Sequence, residues 1–214
     1  MEKITIINNL KITQNVNIIS FHYDVDYLPG QVIGISEDPL LPPRLYSICN
    51  APGNRTIQIL FDIKSEGRLT PRLAEKKPGD YAYSGGITGN FTCPDNEKAF
   101  WIAAGTGIAP FASMFFSGNT ANKYLIHGGR NLESFYFQDD FEPVLRDKYI
   151  RCCTREKGKG IFNGRLTNWL KEQNELPADY KYYLCGSAEM VVQTRDILVS
   201  KGIAFDSIMA EIYF

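Results

Sequence analysis

The sequence predicts a two-domain chain: an antiparallel β-barrel over residues 1–95, then an α/β domain over residues 96–214 built on a five-stranded parallel sheet. Three observations predict it. The chain has 214 residues, room for one large domain or two small ones at roughly 150 residues per domain. Its first half reads as short strands closed by Gly/Pro turns at intervals of about 8–12 residues, the spacing of a barrel or sandwich. Beyond residue 95 strand and helix patterns alternate, the mark of parallel βαβ units with right-handed crossovers.

In the first half, the run from Asn15 to Val25, if extended, puts Ile19, Phe21 and Tyr23 on one face. Leu28-Pro29-Gly30 makes a turn and Gln31 to Ser36 resumes a strand. Thr56 to Ile63 is β-branched and apolar, and Tyr81 to Ser84 follows a Lys-Pro-Gly-Asp turn. One helix is expected at about 69–76, with Thr70 as N-cap and Pro71 at the first position. In the second half, strands are expected at 98–104, 123–128, 149–154, 181–185 and 206–210. Helices are expected between them at 108–117, 137–147, 165–173 and 188–200. The last shows the helical period best, with Met190, Val191, Thr194, Ile197 and Leu198 on one stripe.

The composition is that of a folded chain: 44% hydrophobic, 22% charged and 13% aromatic, against a disordered segment's poverty in aromatics. Twenty-three Lys and Arg face 24 Asp and Glu, a net charge of −1, and the balance holds by halves (9 against 9 in 1–92, 14 against 15 in 93–214). That excludes a global field drawing the molecule onto nucleic acid or membrane, so any charged-partner site is a local patch. The segment Met1 to Asn9 lacks the signal-peptide pattern, and no window approaches 18 consecutive apolar residues. A cytoplasmic monomer without membrane insertion is expected. Cys49, Cys93, Cys152, Cys153 and Cys185 contain no C-x-x-C pair, and there are two histidines, His22 and His127. Disulfide, zinc, iron–sulfur and His-rich metal sites therefore lack support.

In an open parallel sheet, ligands bind beyond the carboxyl ends of the strands. After the first strand comes Gly105-Thr106-Gly107-Ile108-Ala109-Pro110, after the second Gly128-Gly129-Arg130, and after the third Thr154-Arg155-Glu156. Cys185-Gly186-Ser187 follows the fourth and Glu211-Ile212-Tyr213-Phe214 the fifth. Glycines let a phosphate approach the backbone and helix starts offer free N–H groups, so the arrangement reads as a nucleotide crevice. Segment 151–165 holds Arg151, Arg155, Lys157, Lys159 and Arg165 against one acid, Glu156. Arginine forks there suit a ribose 2′-phosphate, whereas NAD binders place a carboxylate near the ribose. In the first half, Arg44-Leu45-Tyr46-Ser47 joins a phosphate-fork donor, an aromatic and a hydroxyl, with Arg44 and Tyr46 on one face of a strand. An ordinary strand with one surface arginine needs no more. Gly67-Arg68-Leu69-Thr70 is a second phosphate candidate, though plain helix capping asks for the same residues.

Taken together, these motifs make the chain resemble the ferredoxin–NADP⁺ reductase family over nearly its whole length. Arg44-Leu45-Tyr46-Ser47 is similar to the family's Arg-x-Tyr-Ser/Thr flavin motif, and Gly67-Arg68-Leu69-Thr70 to its flavin pyrophosphate turn. Gly105 to Pro110 resembles the nicotinamide-nucleotide motif, and Leu184-Cys185-Gly186 with Met190 the Cys-Gly…Met segment. Thr154-Arg155-Glu156 and Gly164-Arg165 resemble the NADP-phosphate arginines of bacterial members. Glu211 to Phe214 is similar to endings that run one aromatic past the flavin-stacking Tyr. The chain is shorter than typical members, and Thr154 stands where Ser is common.

The resemblance implies noncovalent FAD on the barrel and NADP(H) on a Rossmann-like second domain, FAD over FMN resting on the resemblance alone. It also implies hydride transfer between NADPH and flavin N5, coupled to one-electron transfer with a ferredoxin or flavodoxin. Arg44 is expected at the FAD pyrophosphate, Tyr46 against the isoalloxazine, Ser47 near N5 and Tyr213 over the opposite ring face. Cys185 is expected to line the nicotinamide side, with Glu211 as a polar partner. Cys152-Cys153 reads as strand core and His127 as a structural histidine. Arg68, Arg72 and Lys76, with Lys77 beside them, could dock an acidic carrier or form an ordinary solvated helix face. A free-flavin or quinone-type NAD(P)H reductase, a reductase component of an oxygenase or dehydrogenase complex, and a non-enzymatic nucleotide-binding module are the alternatives.

Overall fold

The computed structural model describes residues 1–53 and 55–213 and divides into two compact units. One comprises Met1–Thr92 with Ala109–Ser117, the other Cys93–Ile108 with Gly118–Phe214. No helix among the described residues is long and apolar enough to cross a membrane.

The first unit is antiparallel. Its strands are β1 (Glu2–Thr13), β2 (Val16–His22), β3 (Val32–Ser36), β4 (Arg44–Ser47), β5 (Thr56–Asp62) and, after helix α1 (Thr70–Glu75), β6 (Tyr81–Thr88). They pair in the order β4-β3-β6-β1-β2-β5. The edge strands meet in a single antiparallel bridge, Ile48↔Ile59, beside which the Cys49 amide donates to the Gln58 carbonyl at 2.9 Å. The sheet therefore curls along a barrel path joined by one bridge, not a full ladder.

The register explains the core. Ile19 pairs with Ile59 and Phe21 with Ile57, so the period-2 face expected of β2 is buried against its neighbour's. Strand β1 has no counterpart among the predicted elements. Its alternation breaks at a register shift between Ile6 and Asn8: Ile4 and Ile6 face the core, whereas Ile7, Leu10 and Ile12 are exposed. A bulge of this kind resets which side chains point inward.

Helix α1 departs from expectation at its start. Thr70 is its first residue, not its N-cap; Leu69 takes that position with no side-chain cap. The Thr70 hydroxyl accepts from the Lys64 amide at 2.9 Å, so it is committed to the preceding turn. At the other end, Asn9 Nδ2 donates to the carbonyls of Leu73 (2.8 Å), Ala74 (3.2 Å) and Lys76 (2.9 Å). One side chain thus satisfies carbonyls that a helix end leaves open.

The second unit carries β7 (Ala99–Ala104), which is followed by a 3-10 turn over Gly105–Ile108 and by α2 (Ala109–Phe116) of the first unit. Next come β8 (Lys123–Gly129), α3 (Gln138–Leu145), β9 (Tyr149–Cys153) and β10 (Ile161–Asn163). The chain then forms α4 (Leu166–Glu172), β11 (Lys181–Ser187), α5 (Ala188–Ser200) and β12 (Ile208–Tyr213). All pairings are parallel, in the order β10-β9-β8-β7-β11-β12. The sheet has six strands, not the expected five, because three residues of the basic loop, Ile161–Asn163, pair with β9. A three-residue strand between Gly160 and Gly164 shows no periodicity to read.

One sheet face packs on α4 and α5 through Ile102, Ile126, Cys152 and Leu184 against Leu170 and Leu198. On the other face the register aligns Arg151, His127, Ala103, Cys185 and Glu211 in one row across five strands. Helix α3 lies on this second face, with Phe141 edge-on to Tyr149 at 5.7 Å. Lys123, fully buried, donates from Nζ to the carbonyls of Glu97 (2.5 Å), Asp95 (3.0 Å), Ala121 (3.1 Å) and Pro94 (3.4 Å). That carbonyl cage ties the segment before β7 to its sheet and satisfies the ammonium, whose pKa burial pushes down.

Candidate active site

Strand order reverses between β7 and β11, which are neighbours in the sheet but distant in sequence. In open parallel sheets that reversal opens a crevice beyond the strand ends. The Gly-Thr-Gly turn leaves β7 here, and Cys185-Gly186 ends β11. The structure brings them into contact. A Cβ on Gly107 would stand 2.4 Å from the Cys185 carbonyl oxygen and 2.9 Å from the Gly186 Cα, so only glycine lets the two backbones meet. Gly105 differs: its φ is +57°, and a Cβ there would meet nothing within 4 Å. Bare backbone therefore faces open space at Gly105, a cradle a phosphate can approach.

Cys185 is fully buried, and its thiol is pushed well above the ordinary range, first by burial and then by the Glu211 carboxylate. A hydrogen bond with Tyr213 acts the other way. The thiol is thus neutral at pH 7, a shaped contact and not a nucleophile. Glu211 and Tyr213 do not follow the last strand, as expected, but lie within it. Glu211 pairs with Cys185 and Tyr213 with Ser187 along the β11–β12 ladder. The parallel register explains the trio, since Glu211 and Tyr213 share one face of β12. The Ser187 hydroxyl accepts from the Met190 amide and caps α5. The Gly186 Cα approaches Met190, whose Cε a Cβ there would meet at 2.5 Å. Phe214 lies outside the described residues.

The expected 2′-phosphate residues gather beyond β8, β9 and β10. The Thr154 amide donates to the Gly129 carbonyl at 3.2 Å, the Arg155 amide to the Arg130 carbonyl at 2.9 Å, and the Gly164 amide to the Cys153 carbonyl at 2.8 Å. Arg130, Thr154, Arg155 and Arg165 are all exposed. Among the described residues the guanidinium groups of Arg130 and Arg155 have no hydrogen bond or ion pair, whereas Arg165 pairs with Glu189 at 3.2 Å. Arg151 leaves the group. It lies within β9 on the α3 face, where its guanidinium meets both Glu142 oxygens (3.2 and 2.9 Å) and Gln138 (3.2 Å). His127, beside it in the row, is fully buried and meets the Tyr149 hydroxyl through Nδ1 at 3.0 Å. Burial, aided by Arg151, pushes its pKa down to about 3.

In the first unit, β4 presents Arg44 and Tyr46 on one face, opposite Ile35 and Ile33 of β3. Arg44 is exposed and has no hydrogen bond or ion pair among the described residues. Tyr46 is half-buried edge-on to Phe61 at 6.3 Å, and burial pushes its pKa up to about 12. Leu45 is exposed, and Ser47, opposite Val32, is buried. In the Gly67-Arg68-Leu69-Thr70 turn, the Gly67 amide donates to the Lys64 carbonyl at 2.7 Å, and Leu69 packs on the barrel core. Arg68 pairs with Glu37 at 3.3 Å, and Arg72 hydrogen-bonds to the same carboxylate oxygen. Both hold that carboxyl below its ordinary pKa, Arg72 most strongly. Glu37 carries no local motif; only the folded β3–β4 connection reveals that it ties up two of the cations expected to dock a carrier.

Residues 101–196 match the oxidoreductase NAD-binding domain family. A probable dihydroorotate dehydrogenase B (NAD⁺) electron transfer subunit of Pyrococcus furiosus is 25% identical over 204 residues, spanning 92% of this chain and 75% of that protein. The ferredoxin–NADP reductase of Pseudomonas aeruginosa is 27% identical over 210 residues, 84% of this chain and 80% of that one. The chain is an oxidoreductase whose residues 101–196 match that NAD-binding domain, and it is similar to ferredoxin–NADP reductases over most of its length. The chain shares the fold of a ferredoxin NADP⁺ reductase from Neisseria gonorrhoeae, whose crystal structure with bound FAD and NADP superposes with a TM-score of 0.88. That match has 22% identity and covers 99% of this chain and 98% of the other.

Proposed function

We propose that the chain is an FAD-dependent reductase that oxidises NADPH and delivers electrons to a ferredoxin or flavodoxin. The barrel, residues 1–95, holds FAD, and residues 96–214 hold NADP(H). The contact between Gly107 and Cys185 carries the reading, because it assembles a bare-backbone nucleotide cradle and a neutral thiol at the strand-order reversal. The residues fit both ligands. Arg44 is a cation free to take the FAD pyrophosphate; Arg130 and Arg155, with Arg165 and Thr154 beside them, are available to a 2′-phosphate. Gly105, Thr106 and Gly107 receive the NADP pyrophosphate.

Bound FAD supplies the conversion of a two-electron hydride into single electrons. The chain's own residues bind and orient. Tyr46 offers a ring edge to the isoalloxazine and Ser47 a hydroxyl near N5. Tyr213 is the ring proposed to stack on the flavin. Cys185 shapes the nicotinamide pocket with Gly186, and Glu211 holds a proton-accepting carboxylate beside the thiol. Leu45, Arg68, Leu69 and Thr70 line the remainder of the FAD contact. The Pyrococcus furiosus relative favours a second reading, the reductase subunit of a larger redox complex.

The visible spectrum of the purified chain tests the proposal, followed by anaerobic reduction with NADPH or NADH. Bound FAD reduced faster by NADPH is expected. A colourless protein, or one that NADH reduces equally well, refutes it.

A further inference from the structure

Beyond the ends of β8 and β9 the two following loops run side by side. Their backbones are joined at Thr154–Gly129 and Arg155–Arg130, and the Cys153 thiol reaches the same Arg130 carbonyl at 3.3 Å. The last rung of this ladder is a side chain: Glu156 Oε2 accepts the Leu132 amide at 2.6 Å. Glu156 is also the one acid in the basic run 151–165. An acid among phosphate-binding arginines is a liability unless it is engaged elsewhere, since a free carboxylate competes with the phosphate for the same guanidinium groups.

We propose that Glu156 is a positioning residue for the nucleotide's 2′-phosphate, an inference that rests on the NADP reading above. Its carboxylate clamps the turn at 130–132 to the turn at 154–156. The clamp fixes the spacing of the Arg130 and Arg155 side chains, which no ion pair among the described residues holds. Pre-ordering two long cations in this way reduces what binding must immobilise. The same hydrogen bond commits Oε2 to the backbone, which leaves only Oε1 to compete for the phosphate's arginines or for the ribose hydroxyls that acids engage in NAD sites. What selects NADP here is thus the commitment of the acid to a backbone amide, together with the arginines.

The test uses the full chain with its flavin and two probes, adenosine 2′,5′-bisphosphate (2′-phospho-AMP) and AMP, whose Kd values are measured by titration calorimetry. Glu156→Ala is expected to weaken 2′-phospho-AMP about tenfold, through lost pre-organisation, and to leave AMP unchanged. Glu156→Gln keeps an oxygen for the Leu132 amide and is expected to bind 2′-phospho-AMP at least as tightly as the natural chain. The proposal fails if Glu156→Ala binds it normally, if both probes weaken alike, or if the Gln variant is as weak as the Ala variant. A natural chain that does not prefer 2′-phospho-AMP over AMP overturns the NADP reading and this proposal with it. Failure of the variants in a chain that does prefer it overturns this proposal alone.

Discussion

Replacing Gly107 by alanine tests the contact on which the site is built. The added Cβ would lie 2.4 Å from the Cys185 carbonyl oxygen, 2.7 Å from its carbonyl carbon and 2.9 Å from the Gly186 Cα. Every obstructing atom is backbone, so no rotamer change relieves the clash. Moving from 2.4 Å to an ordinary contact at 3.4 Å demands a displacement of 1.0 Å between the turn and the end of β11. Overpacking of this kind costs roughly 1–3 kcal/mol of stability. The displaced strand end is the one that carries Cys185, and a misplacement of about 1 Å at a reacting centre can cost on the order of 100-fold in rate.

Gly105, two residues earlier, provides the control. Its φ of +57° strains alanine, but a Cβ there touches nothing. Asparagine, which tolerates the left-handed region, should rescue most of the loss at 105. No such rescue is available at 107. Urea unfolding and NADPH-driven ferricyanide reduction read the two effects. Gly107→Ala should lose both stability and turnover, whereas Gly105→Asn should keep the urea midpoint near the natural level and lose NADPH-driven turnover alone, because its side chain enters the phosphate cradle. A Gly107→Ala chain with unchanged midpoint and unchanged turnover would refute the packing argument.

Two further outcomes are expected. The double variant Arg155→Ala, Arg165→Ala should raise the KM for NADPH about tenfold, as lost charged hydrogen bonds do, and leave NADH nearly unchanged; steady-state kinetics with both nucleotides decide, and equal loss counts against a 2′-phosphate site. Stability should hardly change, because the Arg165–Glu189 pair is exposed and such pairs contribute about 0–1 kcal/mol. His127 should make the fold acid-sensitive. Its pKa falls from 6.5 to about 3 on folding, so the unfolded chain binds more protons between those values and stability drops as pH falls below 6.5. Linkage puts this loss at about 2 kcal/mol between pH 7 and pH 5. Urea midpoints measured across that range should fall less steeply for His127→Gln, and an identical slope would show that His127 does not titrate on unfolding.

The second half of the fold was more legible than the first for a physical reason. Helix and strand periods differ, so their alternation around the glycine turns announces parallel units even where boundaries shift, as at Glu211–Tyr213. Strand β1 escaped because its bulge at Ile6–Asn8 breaks the alternation that betrays a strand. Strand β10 escaped because three residues hold no period. Within the site, the residue types were readable, but their partners were not. That Gly107 must be glycine follows from the Cys185 backbone, and that Arg151 is spent on Glu142 follows from α3. Both facts belong to the folded sheet and have no local trace in the sequence.

The near-neutral charge of the chain conceals a sorting of its arginines. Arg68 and Arg72 share Glu37, Arg151 is held by Glu142, and Arg165 is held by Glu189. Arg44, Arg130, Arg146 and Arg155 are left without an ion pair among the described residues. A guanidinium that already has a carboxylate must give it up to take a phosphate, and the exchange cancels much of the gain. An unpaired one forms its charged hydrogen bonds without that loss, worth about 1.5–3 kcal/mol each. Three of the four unpaired arginines stand at positions proposed for phosphates, one on β4 and two beyond β8 and β9, whereas Arg165, proposed for the 2′-phosphate as well, must first leave Glu189. The paired group includes Arg72 of α1 and Arg68 just before it, so Lys76 and Lys77, which follow the helix, are the cations of that segment with no ion pair among the described residues. Charge counting along the sequence ranks all ten arginines alike; the location of Glu37, Glu142 and Glu189 in the fold distinguishes those that start out unpaired from those that must first release a carboxylate.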